Sequence, residues 1–518
     1  MYSEGKIWIG ANKDGERVVL HPSMANRHGL IAGATGTGKT VTLKVLAESF
    51  SSAGVPVFLA DIKGDIAGTC KIGTENDKVS QRANVVGATA AGFSFQKYPV
   101  NFWDVYGEKG MPLRTTISEM GPLLLSKIMG LTDVQSNLLT VIFKIADDNG
   151  LLLIDTKDLK ALLTYVGDNA ADFTSEYGNI AKQSIGAIIR SVVAMEAEGA
   201  ETFFGEPALN INDWLQRDPD GKGMIQILDC QKLVTNPTMY STFMLWMMSE
   251  LFENLPEVGD LDRPKMVFFF DEAHLLFNDA SKILLSKIEQ MVKLIRSKGV
   301  GIYFITQSPK DIPDSVLAQL GNKIQHALHA YTPAEQKNAK AVAMSYRAND
   351  AFDTYDTLLN LATGEALISV LDPDGVPTVV DIATILPPQS MMGPIDDETR
   401  EQEVKGNLLY SRYSDFFDRD SAYEFLQRKN LADAEAAQEA ADEAARQKEE
   451  EKAAKAAAAK TKSANKLVGN VAKTTGSTVG REIGKALGST MGGRLGKTLG
   501  GNIGASLGRG ILGSLFGK

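Results

Sequence analysis

Apolar and polar positions along this chain fall into two alternating patterns. Compact apolar runs occur at residues 28–32, 55–61, 224–229, 266–270 and 301–307, and polar residues close or follow several of them: Asp61, Asp229, Asp271 and Gln307. Runs of this length with no polar face predict strands buried on both sides. Between them the period lengthens. Val41, Val45, Leu46 and Phe50 share one helical face over residues 41–50, and helices are also predicted over 112–131, 134–146, 159–166, 180–196, 237–252 and 281–297. The Met- and Phe-rich stretch 237–252, with Trp246, reads as core. Residues 6–20 predict a β-hairpin turning at Lys13-Asp14-Gly15, and further strands are expected at 323–328, 365–371 and 378–382.

Strands alternating with helices predict an α/β fold with a mainly parallel sheet flanked by helices, a helical insertion, and a helical or low-complexity C-terminal tail. The expected segments are a hairpin at 1–28, a first part of the core at 29–105, the insertion at 106–215, a second part of the core at 216–395 and a helical extension at 396–430. An Ala/Glu/Lys-rich charged helix or linker follows at 431–460, then a basic repeat at 461–518 in which every fourth residue from Gly476 to Gly508 is glycine. Two readings stand for that repeat. It is a low-complexity tail, or a helix whose small-residue ridge packs on a membrane surface or a partner helix. Inside the insertion, Arg114 and Glu119 read as exposed charges.

Charge changes the picture at one point. The 518 residues are 44% hydrophobic and carry a net −10. Residues 461–518 hold nine Lys/Arg and one acid, a net +8, which leaves −18 for the residues before them. An acidic body argues against non-specific nucleic-acid binding over its whole surface, while leaving room for a basic channel. Cys70 and Cys230 are the only cysteines and lie far apart, which argues against disulfides and thiolate metal sites. Residues 1–6 lack the basic-then-apolar order of a secretory signal, and no run approaches the roughly 18 uncharged apolar residues of a membrane span. The expected address is the cytoplasm, with peripheral membrane attachment through the tail as the alternative.

The chemistry centres on Gly33-Ala34-Thr35-Gly36-Thr37-Gly38-Lys39-Thr40, which fills every position of the G-x-x-x-x-G-K-[ST] phosphate-binding pattern between a predicted strand and a predicted helix. Such a loop aims backbone N–H groups and the positive helix end at one spot. Lys39 is expected to reach the β- and γ-phosphates of ATP, and the Thr40 hydroxyl to bind Mg²⁺. Asp271, at the end of an apolar strand, is expected to hold Mg²⁺ with Thr40. Glu272 would orient and deprotonate the attacking water, and Gln307 at the neighbouring strand tip would sense the γ-phosphate. Asp61, Lys63 and Asp65 follow another strand and either line the same crevice or form a solvated turn. Arg296 either reaches a neighbouring subunit's phosphates or is a favourable charge at a helix C-terminus. The five histidines form no metal-ligand cluster.

Asp271-Glu272-Ala273-His274 spells the signature of DEAH-box helicases, but the Q-x-x-G-R-x-G-R motif of that group is missing. The ordered set of residues 33–40, Asp61-Ile62-Lys63-Gly64-Asp65, Phe270-Asp271-Glu272-Ala273-His274, Arg296-Ser297-Lys298-Gly299-Val300-Gly301 and Thr306-Gln307-Ser308-Pro309 instead resembles the HerA-like branch of the HerA/FtsK P-loop ATPases, most closely the bacterial YjgR-type proteins, over roughly residues 5–425. The resemblance implies a RecA-like ATPase core, a homo-oligomeric and usually hexameric ring, Mg-ATP between subunits and double-stranded DNA in the pore. It also implies that Gln307 is the polar sensor and Arg296 the trans-acting arginine. Archaeal HerA proteins carry a sizeable β-barrel that docks a nuclease. Only some thirty residues precede the P-loop here, so a nuclease partner held in that manner is not expected. Two other functions remain open at this point: a protein-remodelling or secretion-type ATPase docked through the glycine repeat, and a nucleotide-switched scaffold with little turnover.

Overall fold

The computed structural model describes residues 1–278 and 282–465; the glycine repeat expected within 461–518 lies outside the described residues. Two compact units divide the chain, Met1–Asn430 and Leu431–Lys518. In the second, residues 431–465 are helical, and 431–455 are exposed throughout. That stretch has no apolar stripe to bury, and its helix draws on strong helix formers and on i,i+4 pairs such as Glu451 with Lys455 at 3.4 Å.

The first unit is built on one sheet. Its strands, among the described residues, are β1 (Tyr2–Ser3), β2 (Lys6–Asn12), β3 (Arg17–Leu20), β4 (Gly29–Ala32), β5 (Val57–Asp61), β6 (Val100–Asp104), β7 (Met111–Pro112), β8 (Ile225–Asp229), β9 (Met266–Phe270), β10 (Val300–Thr306), β11 (Asn322–Gln325), β12 (Glu365–Ser369) and β13 (Asp381–Ile385). The spatial order is β1-β2-β13-β12-β11-β4-β10-β9-β5-β8-β6-β7, with β3 beside β2. From β11 to β7 every pairing is parallel. From β11 to β1 every pairing is antiparallel. The N-terminal hairpin therefore joins the main sheet through β13.

Period-two alternation sends neighbouring aromatics to opposite faces. On one face Phe50, from the helix Lys39–Ser52, meets Phe269 and Tyr303 with ring centroids 6.1 and 6.0 Å away. On the other, Phe58 stacks on Phe268 at 4.8 Å and on Trp214 at 5.2 Å. The helix Lys39–Ser52 is also tied down by polar groups. Buried Glu48 accepts from the N–H groups of Gln389 (2.7 Å) and Ser390 (3.1 Å), and buried Lys44 donates to the Met391 carbonyl at 2.6 Å.

Between β7 and β8 lie the helices Ile117–Ile128, Asp133–Asp148, Thr156–Asp168, Ala170–Tyr177 and Lys182–Ala197. Capping boxes begin the first three, at Thr116, Thr132 and Asp155, and satisfy N–H groups that the helix itself leaves unpaired. Glu119 belongs to the Thr116 box and is exposed, whereas Arg114 is buried, donates to the Tyr413 carbonyl at 2.9 Å and lies over the Phe416 ring. The exposed-charge reading of Arg114 is thus corrected. It fails because the partner, some three hundred residues on, leaves no local signal.

Other differences are local. The strand expected at 378–382 runs from Asp381 to Ile385, because Thr378 and Pro377 close a turn on Val370 and Leu371 before the ladder begins. Strand β6 and the helices Asp77–Val85, Pro333–Met344 and Thr354–Asn360 have no counterpart among the expected elements. In β6, Val100-Asn101-Phe102-Trp103-Asp104 interrupts its apolar run with Asn101. That side chain is buried, and its amide donates to Gln226 at 3.0 Å.

Candidate active site

The phosphate-binding sequence folds as its glycines require. At Gly33 a Cβ would stand 2.5 Å from the Cβ of His326 and 2.9 Å from the Thr37 hydroxyl, so only glycine lets the loop pass that close. Gly36 has φ +80° and nothing within 4 Å of its Cβ position; there the left-handed backbone, not space, selects glycine. The helix begins at Lys39. Lys39 Nζ donates to the carbonyls of Gly33 (2.7 Å) and Ala34 (3.0 Å), so its ammonium is held over the loop. Burial lowers the Lys39 pKa, with Lys63 acting in the same sense against the opposing charges of Glu272 and Asp271.

Three neighbouring strands converge here. Strand β4 delivers the loop, β10 beside it ends before Gln307, and β9 beyond ends before Asp271 and Glu272. Asp271 is buried, and its Oδ1 accepts from the Glu272 N–H at 2.9 Å. Burial pushes its pKa up to about 6, helped by Glu272 and opposed by Lys63. Glu272 has φ +44°, the left-handed region that costs a residue with a side chain about 1–3 kcal/mol. Its Oε1 accepts from Lys63 Nζ at 2.7 Å; its Oε2 lies 3.4 Å from Gln307 Nε2 and 3.5 Å from His274 Nδ1. Burial raises the Glu272 pKa, but the Lys63 bond and charge, with Gln307 and His274, outweigh it and hold the carboxyl below the ordinary glutamate value.

Of the residues singled out in the sequence, the structure brings the loop, Asp271, Glu272, Gln307 and Lys63 together. Asp61 turns away. Its carboxylate accepts from the N–H groups of Gly64 (2.8 Å) and Ile66 (3.3 Å) and shapes the turn that presents Lys63. Asp65 lies in that turn with its Oδ1 buried and unpaired. Arg296 stands at the other end of β10, in the short helix Arg296–Lys298 that precedes Val300. Seven strand residues separate it from Gln307, roughly 20 Å at the usual rise. Burial and the charge of Arg27 lower its pKa, while Asp260, itself 3.5 Å from Arg27, raises it.

Two residues at the loop carry no sequence expectation. His326, fully buried just past β11, bonds through Nε2 with the Thr42 hydroxyl (2.8 Å) and through Nδ1 with the Glu365 carbonyl (2.8 Å), and burial lowers its pKa to about 4. Since Glu365 offers only an acceptor, Nδ1 carries the proton and Nε2 accepts from Thr42. Arg82 donates to the carbonyls of Gly364 (2.9 Å) and Thr363 (3.1 Å), while the Gly364 N–H donates to the Thr37 carbonyl at 2.9 Å. Together they clamp the antiparallel edge onto the phosphate loop. A polar residue at a strand end was the available signal for His326; Arg82 had none.

Asp61 also yields a pH prediction. Burial, with Asp65, raises its pKa from 3.8 to about 7 in the folded protein. The stability it contributes is complete below its ordinary value and is lost as pH rises through about 7. Asp61→Asn is expected to flatten the fall in thermal midpoint across that window; an unaltered slope would remove Asp61 as its source.

A model of the helicase HerA-like C-terminal family matches residues 6–518. The chain belongs to that family. Curated relatives include a probable helicase of Methanocaldococcus jannaschii, 29% identical over 154 residues, and the DNA double-strand break repair helicase HerA of Sulfolobus acidocaldarius, 27% identical over 147 residues. Each match covers 28% of this chain and 28% of the relative. Among solved structures, the plasmid coupling protein TrwB in complex with ADP and Mg²⁺ is 15% identical, with a TM-score of 0.45, over 77% of this chain and 88% of that one. VirB4 of Thermoanaerobacter pseudethanolicus is 16% identical, with a TM-score of 0.45, over 74% and 97%.

Proposed function

We propose that this HerA-like chain is a Mg-dependent ATP hydrolase, a HerA/FtsK-type ring motor that acts on double-stranded DNA. The observation that carries the hydrolytic reading is the convergence of the phosphate loop, Asp271, Glu272 and Gln307 at the tips of the adjacent strands β4, β10 and β9. The backbone N–H groups of residues 33–40 and Lys39 bind the phosphates. Glu272, set by its φ of +44°, orients the attacking water and takes its proton, while Gln307 beside it faces the γ-phosphate.

The donor set fits magnesium. Thr40 and Asp271 are oxygen donors, and a cation beside Asp271 would offset the burial that raises its carboxyl. Among the described residues no group of three or more His, Cys, Asp or Glu could hold a metal by itself, so the remaining ligands would be phosphate and water. When bound, the ion neutralises charge developing on the phosphoryl oxygens.

Double-stranded DNA, the hexameric ring and kinship with YjgR-type proteins rest on the motif set and on relatives described as helicases. Among the described residues no helix is long and apolar enough to cross a membrane. The four-residue glycine period supports a second reading, a protein-remodelling ATPase docked at a membrane or a helix partner through residues 461–518. Truncation after Lys460 would then abolish membrane association.

The test is ATP turnover with and without duplex DNA, for wild type and Lys39→Ala. Lys39→Ala is expected to lose about 100- to 1,000-fold in kcat/KM, and wild type to be stimulated by duplex DNA with steep salt dependence. Equal rates for the two proteins would overturn the hydrolytic reading. A rate indifferent to DNA at all salt concentrations would overturn the DNA reading.

A further inference from the structure

Among the described residues, Lys63 is the lysine whose ammonium bonds to the Glu272 carboxylate, and phosphate binding does not account for it. It projects from the turn after β5, built by Asp61 through its bonds to the Gly64 and Ile66 N–H groups. Its ammonium meets Glu272 Oε1 at 2.7 Å, with the lysine 46% and the glutamate 9% exposed, so a half-solvated cation grips a buried anion. The other glutamate oxygen faces Gln307 and His274. With both oxygens engaged by protein groups, the carboxylate is restrained, and an attacking water must compete with these donors for its lone pairs. The left-handed backbone at Glu272 marks a residue held in place by its surroundings.

A second acceptor for Lys63 stands in the same turn. Asp65 lies two residues on, and its Oδ1 is buried without a hydrogen-bond partner, which leaves a desolvated carboxylate oxygen wanting a donor. Gly64 between them has φ +75°. Lys63 thus has an occupied acceptor in Glu272 and an unoccupied one in Asp65.

From this geometry we propose that Lys63 is a positioning residue that restrains Glu272 in the state seen here and releases it for catalysis by transferring its ammonium to Asp65. The assignment rests on the reading of Glu272 as the group that activates water. It adds a gate to that reading: the base is present in each subunit, and an ion-pair exchange in the β5 turn sets whether it is free. Any partner that draws the β5 turn outward would couple to hydrolysis through this pair.

The experiment measures kcat and KM for ATP on the full chain. Lys63→Met removes the ammonium and keeps the stem; a rise in kcat of about 3- to 10-fold with KM unchanged is expected, since one charge-assisted bond at a half-exposed site is lost. Lys63→Arg, which retains the ion pair, restores the low rate. Asp65→Asn is expected to lower kcat by a similar factor, and the double variant Lys63→Met with Asp65→Asn to match Lys63→Met alone, because without the ammonium the second acceptor has nothing to receive. A merely structural Lys63 would not give a rise in kcat that Asp65→Asn fails to reverse. Lys39→Ala in the same assay separates two failures. If Lys39→Ala is inactive and Lys63→Met has a kcat at or below wild type, the gate is overturned alone. If Lys39→Ala turns over like wild type, the reading of the site falls and the gate with it.

Discussion

Glu272→Gln lowers kcat for ATP hydrolysis by about 100- to 10,000-fold, the usual contribution of a positioned general base, while ATP still binds. The substitution keeps the side-chain shape and removes the negative charge. Binding survives because the loop backbone and Lys39 are anchored independently of Glu272: Lys39 Nζ rests on the Gly33 and Ala34 carbonyls, and the loop is braced by His326 and by the Gly364 N–H. Turnover falls because Glu272 is the buried carboxylate at the loop with its oxygens turned toward Lys63 and Gln307, whereas the other one, Asp271, is turned toward the Glu272 N–H. Steady-state hydrolysis together with equilibrium binding of labelled ATP checks both halves. A Glu272→Gln protein that hydrolyses at the wild-type rate would remove the base assignment. One that is inactive in hydrolysis yet fully functional in cells would favour the scaffold over the motor.

Arg296→Ala is expected to cost about 1,000- to 100,000-fold if Arg296 completes a neighbour's site, the range seen when a trans-acting arginine is lost. The physical case for trans action is position. Arg296 lies before β10 and Gln307 after it, so the sheet itself separates the two by roughly 20 Å within one subunit. At that end Arg27 and Arg296 both act on Asp260, so positive charge there exceeds what this acid neutralises. Mixing separates this from a role within the same subunit. An assembly of Lys39→Ala and Arg296→Ala subunits regains activity only where an intact loop meets an arginine from the other type. No recovery on mixing, or an Arg296→Ala rate within about threefold of wild type, would return Arg296 to the role of a charge at a helix end, worth a few tenths of a kcal/mol to about 1 kcal/mol.

How much of this was legible depends on the range over which each signal acts. The phosphate loop is a local device: its glycines, Lys39 and Thr40 are contiguous, and the flanking strand and helix follow from hydrophobic period. Asp271, Glu272 and Gln307 were legible because a buried parallel strand is a dense apolar run whose first polar residue marks its tip. Strand β6 escaped the same reading because its buried Asn101 is satisfied by Gln226, 125 residues away. Arg114 escaped because Tyr413 and Phe416 are remote. The polar triplet Asp61, Lys63 and Asp65 pointed to the site as a group, and only the folded turn divides its labour: Asp61 builds, Lys63 reaches and Asp65 remains unpaired.

By itself the sequence determined the α/β alternation, the phosphate loop and the acidic residues at the strand tips, because each is written in side-chain chemistry over a few consecutive residues. Tertiary structure alone decided that the N-terminal hairpin joins the antiparallel edge, that His326 and Arg82 brace the loop, and that Lys63 holds Glu272. Those outcomes depend on which strands become neighbours, and neighbours in a sheet are chosen by packing across the whole chain, not by the residues beside them.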